Sequence, residues 1–98
     1  MSLTVGYRPV ARVEFDDAVA WYENARAGLG EEFANAVQSG IDEAAANPKR
    51  FPLVDGDLRE CPVSGFPYCV YYRVRNGRLV VIAVFHQARD PSVWKGRA

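Results

Sequence analysis

The stretch Tyr68-Cys69-Val70-Tyr71-Tyr72-Arg73-Val74-Arg75-Asn76-Gly77-Arg78-Leu79-Val80-Val81-Ile82-Ala83-Val84-Phe85 decides the fold. Its β-branched and aromatic residues suit a pleated, half-buried surface, and they form two strand-length runs, 68–75 and 79–85. Asn76-Gly77 between them is a hairpin signal, because a type I′ turn needs positive φ at both central residues. Val70, Tyr72 and Val74 alternate with Tyr71, Arg73 and Arg75, so one strand face is apolar and the other carries aromatic and basic groups. Upstream, Ser64-Gly65-Phe66-Pro67 separates this hairpin from a third run at 58–63, which completes a three-stranded antiparallel meander.

Toward the N-terminus the period changes. Leu3, Val5 and Tyr7 alternate over a short strand, 3–8, that Pro9 ends. Pro9 also supplies the fixed φ of a first helical turn, and Ala11, Phe15, Ala18, Tyr22 and Ala25 make one stripe of a helix running to Ala27. Trp21 widens that stripe, while Glu14, Asp16, Asp17 and Glu23 fall on its solvated side. Gly28-Leu29-Gly30 breaks the helix. Glu31 and Glu32 then open a second one favourably for its dipole, and Phe33, Val37, Ile41 and Ala44 recur at helical spacing until Asn47-Pro48. Helices joined so tightly pack antiparallel. The predicted fold is α+β in two layers: an N-terminal strand, a helical hairpin and the meander, in the order β-α-α-β-β-β.

The chain has 98 residues, 49% hydrophobic and 24% charged, well inside the folded globular range. A single core serves until roughly 250 residues, so residues 1–98 read as one domain and a two-domain enzyme is excluded. No apolar run approaches the roughly 20 residues of a membrane span, and the first residues lack a signal-peptide pattern, so a cytoplasmic location is expected. Cys61 and Cys69 could face each other across a hairpin, but a lone pair in such a protein is expected to stay reduced as core filler. One histidine and no CxxC or HxxxH spacing leave no metal site, and no cofactor is expected.

Twelve Lys plus Arg cancel twelve Asp plus Glu, yet the charge is segregated. Residues 1–72 carry six basic side chains against eleven acidic ones; residues 73–98 carry six basic ones against Asp90 alone. Such asymmetry fits either an end that addresses a polyanion or acidic protein, or arginines that keep a sheet soluble.

The residues of chemical interest gather at this basic end. Arg59, Tyr71, Arg73 and Arg75 on strands, and His86-Gln87-Ala88-Arg89-Asp90-Pro91 with Trp94, Lys95 and Arg97 beyond them, could converge on one surface. Arginine beside aromatic residues can grip phosphate and stack bases. Histidine is the side chain whose unperturbed pKa lies near neutrality, so His86 is the natural general acid or base, and metal-free RNA cleavage needs little more than a base, an acid and a cation for the phosphate. Structural readings stand beside these. His86 could be a hydrogen-bonded strand-end residue, Asp90 could cap a short helix beginning at Pro91, and Trp21 and Tyr22 could be core or interface aromatics.

Several motifs in order carry a family resemblance: Ala18-Val19-Ala20-Trp21-Tyr22-Glu23, Gly28-Leu29-Gly30-Glu31-Glu32-Phe33, Asn47-Pro48, Phe66-Pro67-Tyr68, Val70-Tyr71-Tyr72-Arg73, and Val84-Phe85-His86-Gln87-Ala88-Arg89-Asp90-Pro91 with Trp94. The chain resembles the RelE/ParE toxin superfamily. The resemblance implies the toxin of a type II toxin–antitoxin pair, silenced by a cognate antitoxin whose C-terminal segment wraps it and with which it forms an oligomer.

Two targets are open on this resemblance. RelE-like members cut mRNA on the ribosome, whereas ParE-like members poison DNA gyrase. Cys69 stands where RelE carries a catalytic arginine, and Trp94 where a catalytic tyrosine would close the site. The His-x-x-Arg-Asp-Pro ending is similar to the branch labelled ParE or plasmid-stabilisation protein, so gyrase inhibition is the leading expectation. A ribosome-dependent endoribonuclease using His86, Arg59, Arg73 and Arg89 is the alternative, and a degenerate toxin that only binds its antitoxin is a third. Target binding is expected from Arg73, Arg75, Arg89, Trp94, Lys95 and Arg97, and antitoxin binding from Trp21, Tyr22 and Tyr71.

Overall fold

A computed structural model describes residues 2–97. Strand β1 (Thr4–Tyr7) leads through Pro9 into α1 (Pro9–Ala25), and α2 (Leu29–Ala46) returns antiparallel to it. Four strands follow, β2 (Leu53–Asp55), β3 (Leu58–Pro62), β4 (Tyr68–Arg75) and β5 (Arg78–His86), and then a single-turn helix, α3 (Ser92–Lys95). The sheet order is β1-β5-β4-β3-β2, with β1 parallel to β5 and every other pairing antiparallel. The two-layer α+β reading holds. The meander gains one short edge strand, β2, which three residues between Pro52 and Gly56 gave no period to reveal. Asn76 (φ 53) and Gly77 (φ 73) both take positive φ, as the β4–β5 turn requires.

The helical stripes bury as their spacing dictates. Ala11, Phe15, Ala18 and Tyr22 of α1 meet Phe33, Val37, Ile41 and Ala44 of α2 over Val70, Tyr72, Leu79, Val81 and Val84 of the sheet. Ala25 is exposed, because α1 stops there. Phe33 sits among the rings of Tyr22, Phe66 and Tyr68, with centroids 5.0–5.1 Å from its own. Gly30 lies inside α2 rather than in the loop. A Cβ there would stand 2.6 Å from the Val19 carbonyl oxygen, so only glycine lets the two helices approach this closely. The Glu23 carboxylate, expected to be only solvated, accepts the backbone N–H groups of Gly28 (2.9 Å) and Gly30 (3.0 Å) and so caps α2 from α1.

The second sheet face has its own core. Leu58, Cys69, Tyr71, Ile82, Ala83, Phe85 and Trp94 are buried there together. A bulge makes this possible: Tyr71 and Tyr72 oppose Ala83 and Val81, which leaves Ile82 as an extra residue in β5. Consecutive residues Ile82 and Ala83 therefore turn to the same outer face, while Val81 and Val84 keep facing the helices. Cys61 lies in the helix-side core and Cys69 in the outer one, so the two thiols stand on opposite faces of the sheet.

Candidate functional site

The outer face is the part of the molecule with convergent chemistry. Trp94, brought back over the sheet by α3, stacks on Tyr71 with centroids 3.8 Å apart and planes at 21°. The turn that delivers it is built on Asp90, whose Oδ1 accepts the Ser92 N–H at 2.9 Å. That bond holds the Asp90 carboxyl below its ordinary pKa. Glu60, Tyr71, Phe85, His86, Arg89 and Trp94 are among the residues that line a cleft of about 400 Å³ here, with Lys95 at its rim.

Its floor is tied together by hydrogen bonds. The Cys69 thiol donates to Glu60 Oε1 at 3.2 Å, and Gln87 Nε2 donates to Cys69 Sγ at 3.3 Å. Burial raises the Cys69 thiol to about 11 and pushes the Tyr71 phenol well up. Neither offers an anion near neutral pH. The rim is cationic: the Arg89 guanidinium lies 4.4 Å from the Phe85 ring centroid, and Lys95 Nζ lies 6.0 Å from that of Trp94. Among the described residues, Arg89 and Lys95 form no ion pair.

The residues singled out for cleavage do not come together. Arg59 lies on the helix-side face, where Nη1 donates to the Phe51 carbonyl at 2.6 Å. Arg73 donates through Nε and Nη2 to Asp57 Oδ1 at 3.2 and 2.7 Å, and Arg75 reaches Asp57 Oδ2 at 3.0 Å. The Arg73 hydrogen bond, with the charges of both arginines, holds the Asp57 carboxyl below its ordinary pKa. His86 pairs across the sheet with Tyr68, whereas Arg73 pairs with Val80. At about 3.3 Å per residue, five residues along β4 separate the two sites by roughly 17 Å. Only His86 and Arg89 share the cleft. The His86 Nδ1 accepts the Ala88 N–H at 3.0 Å, which places the proton of the neutral ring on Nε2, and its ring meets Tyr68 edge-on at 5.1 Å.

The other expected residues divide as well. Arg97 turns inward onto Glu14. Tyr22 and Tyr71 are buried core residues, and of the aromatic trio Trp21 alone is presented outward, 66% exposed. It borders a second cleft of about 240 Å³ with Tyr68, His86 and Arg89. Val10 and Val13, about three and two turns from it on α1, are also exposed. Sequence reasoning missed Glu60, which pairs with Tyr71 across the β3–β4 ladder, and Glu14, whose partners lie far away in the chain. Alternation separates Glu60 from Arg59, but only the register with β4 decides which of them faces outward; nothing local could have found the partners of Glu14.

Among the described residues, no three of His, Cys, Asp and Glu gather as a metal site, and no helix is long and apolar enough to cross a membrane. Residues 5–91 match the family model described as the ParE toxin of the type II toxin–antitoxin system parDE. No curated protein matches the chain. Among solved structures, the fold is similar to a chain of the chromosomal ParDE toxin–antitoxin system from P. aeruginosa, with a TM-score of 0.75 at 9% identity, covering 87% of this chain and 96% of that one. With residues 5–91 inside that model, the chain belongs to the ParE toxin family of type II toxin–antitoxin systems.

Proposed function

We propose that this chain is a cytoplasmic toxin that inhibits DNA gyrase and is neutralised by a cognate antitoxin. The observation that carries this reading is the dispersal of the nuclease candidates. Arg59 and His86 serve different surfaces, and Arg73, tied to Asp57, lies roughly 17 Å from His86 along the strand. General acid–base cleavage of RNA needs its groups within hydrogen-bond reach of one phosphate, and this arrangement does not supply that. What remains on the outer face is a binding surface: Arg89 and Lys95 over aromatic rings, Trp94 beneath them, and Arg75 further along the sheet. Arg73 and Arg97 brace it from within. The antitoxin is assigned to the outward side of α1, where Val10, Val13 and Trp21 form an uncovered apolar stripe that an amphipathic partner segment fits.

Induced expression without the antitoxin is the test. Filamentation, a DNA-damage response and loss of supercoiling activity in purified gyrase, with protein synthesis continuing, are the expected results. Prompt translation arrest with mRNA cut on the ribosome would overturn the reading.

A further inference from the structure

Beyond Val81, β5 has no neighbouring strand on the β1 side. β1 pairs with β5 only from Thr4↔Arg78 to Tyr7↔Val81, and the Arg8 N–H makes the last bond, to the Val81 carbonyl at 2.9 Å. From there two side chains do what a strand would do. Arg97 Nη1 donates to the Ile82 carbonyl at 3.3 Å, and Glu14 Oε1 accepts the Val84 N–H at 3.1 Å. The same two groups pair with each other through Nη1–Oε1 at 3.0 Å and Nη2–Oε2 at 2.8 Å. Their side chains are only 17% and 14% exposed, so solvent screens this pair far less than the other ion pairs of the molecule.

This arrangement fixes α3. The Arg97 N–H donates to the Trp94 carbonyl at 3.0 Å, so Arg97 and Trp94 belong to one turn of chain. That turn is held at two points: Trp94 by its stack on Tyr71, and Arg97 by Glu14. Glu14 itself lies on α1 and borders the second cleft together with Trp21, His86 and Arg89.

We propose that Glu14 is a positioning residue that acts through Arg97: the pair sets the position of α3, and with it Trp94 and Lys95 on the target face. This inference rests on the outer face being the surface that meets the target. A guanidinium is needed, since only its planar fork can bond both carboxylate oxygens and the Ile82 carbonyl together; a lysine carries the charge without that geometry.

The experiment compares Glu14→Gln, Arg97→Ala, Arg97→Lys and the Glu14→Gln/Arg97→Ala double variant, each induced at matched protein level. Growth inhibition, the Trp94 indole ¹H–¹⁵N resonance and antitoxin co-purification are measured. Glu14→Gln and Arg97→Ala should each cut toxicity at least tenfold and shift the Trp94 resonance, the double variant should fall no further, and Arg97→Lys should lie between. Antitoxin capture should be unchanged, which shows that the fold is retained. Should Glu14→Gln fail to fold, Arg97→Ala, which leaves Glu14 on the Val84 N–H, carries the test with the same outcomes. Toxicity within twofold of wild type, a Trp94 resonance that stays in place, or single effects that multiply in the double variant would overturn the inference. Translation arrest by the wild-type chain, with the variant pattern intact, ends the gyrase reading and leaves the role of Glu14 standing; wild-type expression without toxicity ends both.

Discussion

Trp94 covers Tyr71. The two rings lie 3.8 Å apart at 21°, and this one stack closes the outer core of a sheet whose other face is covered by two whole helices. Replacing Trp94 by Ala removes a side chain that is almost entirely buried and uncovers Tyr71, Phe85 and Ile82 together. The expected cost is about 3 kcal/mol in urea unfolding, with α3 released from the sheet. Retention of full stability would mean that α3 does not pack as described.

The cap that α1 provides for α2 makes a second prediction. Glu23→Ala leaves the N–H groups of Gly28 and Gly30 without their carboxylate, which should cost about 1 kcal/mol, while Glu23→Gln keeps an acceptor and should cost less. Gly30→Ala meets the Val19 carbonyl oxygen at 2.6 Å, an atom of rigid helical backbone, and should cost roughly 1–3 kcal/mol by forcing the helices apart. Chemical denaturation of the three variants ranks these effects.

The thiols set an alkaline limit. Burial raises both Cys61 and Cys69 to about 11. A group whose folded pKa is raised contributes stability that is fully present below its unfolded pKa. That stability is lost as pH rises through the folded value. Each thiol should therefore cost about 1.4 kcal/mol per pH unit from the ordinary thiol range up to about 11. Urea midpoints measured across this range should fall, and a Cys61→Ala/Cys69→Ala variant should show a shallower decline. At pH 8 neither thiol should react with a disulfide reagent until the chain unfolds, since they stand on opposite faces of the sheet and are both buried.

Acid acts on a different pair of faces. Asp57 has a depressed carboxyl pKa, so its contribution is present above the ordinary carboxylate range and is lost as pH falls through the folded value. Asp57→Asn should remove that part of the acid sensitivity and loosen Arg73 and Arg75. Tracking the arginine side-chain resonances of wild type and variant between about pH 5 and pH 2 checks both statements.

On the surface proposed to meet the target, Arg89→Ala and Lys95→Ala should each reduce the proposed gyrase inhibition at least tenfold with little change in stability. These cations form no ion pair among the described residues and lie over rings at the surface. Arg59→Ala should behave oppositely. It removes the donor to the Phe51 carbonyl and should lower stability by about 1 kcal/mol without affecting gyrase inhibition. Supercoiling assays set beside denaturation curves separate the two classes.

The elements that local physics dictates were legible in the sequence. Alternation exposed β4 and β5, Asn76-Gly77 their turn, and helical spacing the burial of Phe15, Tyr22, Phe33 and Val37. Asp90-Pro91 likewise marked the turn into α3. Features that depend on distant neighbours were not legible. Alternation cannot foresee a bulge at Ile82, which turns two consecutive residues to one face. It also could not place Arg59 on the opposite face from the cleft, because that depends on a pairing register fixed with β4. Charge counting marked Arg73 and Arg97 as surface cations. Asp57 and Glu14, which hold them, come from a tight turn and from another layer.

The parallel pairing of β1 has a consequence for the time course of synthesis. Val5 lies beside Leu79, almost the whole chain away, so the first strand to leave the ribosome has no neighbour until the last one has emerged. Contacts this remote form late, after the loop between them has been closed. The helices leave the ribosome before the sheet that will cover their apolar stripes. The surface bearing Trp94 can exist only once residues up to Arg97 have left the ribosome. A newly made chain thus passes through an interval in which a partner could reach its helices while its basic face is still unassembled.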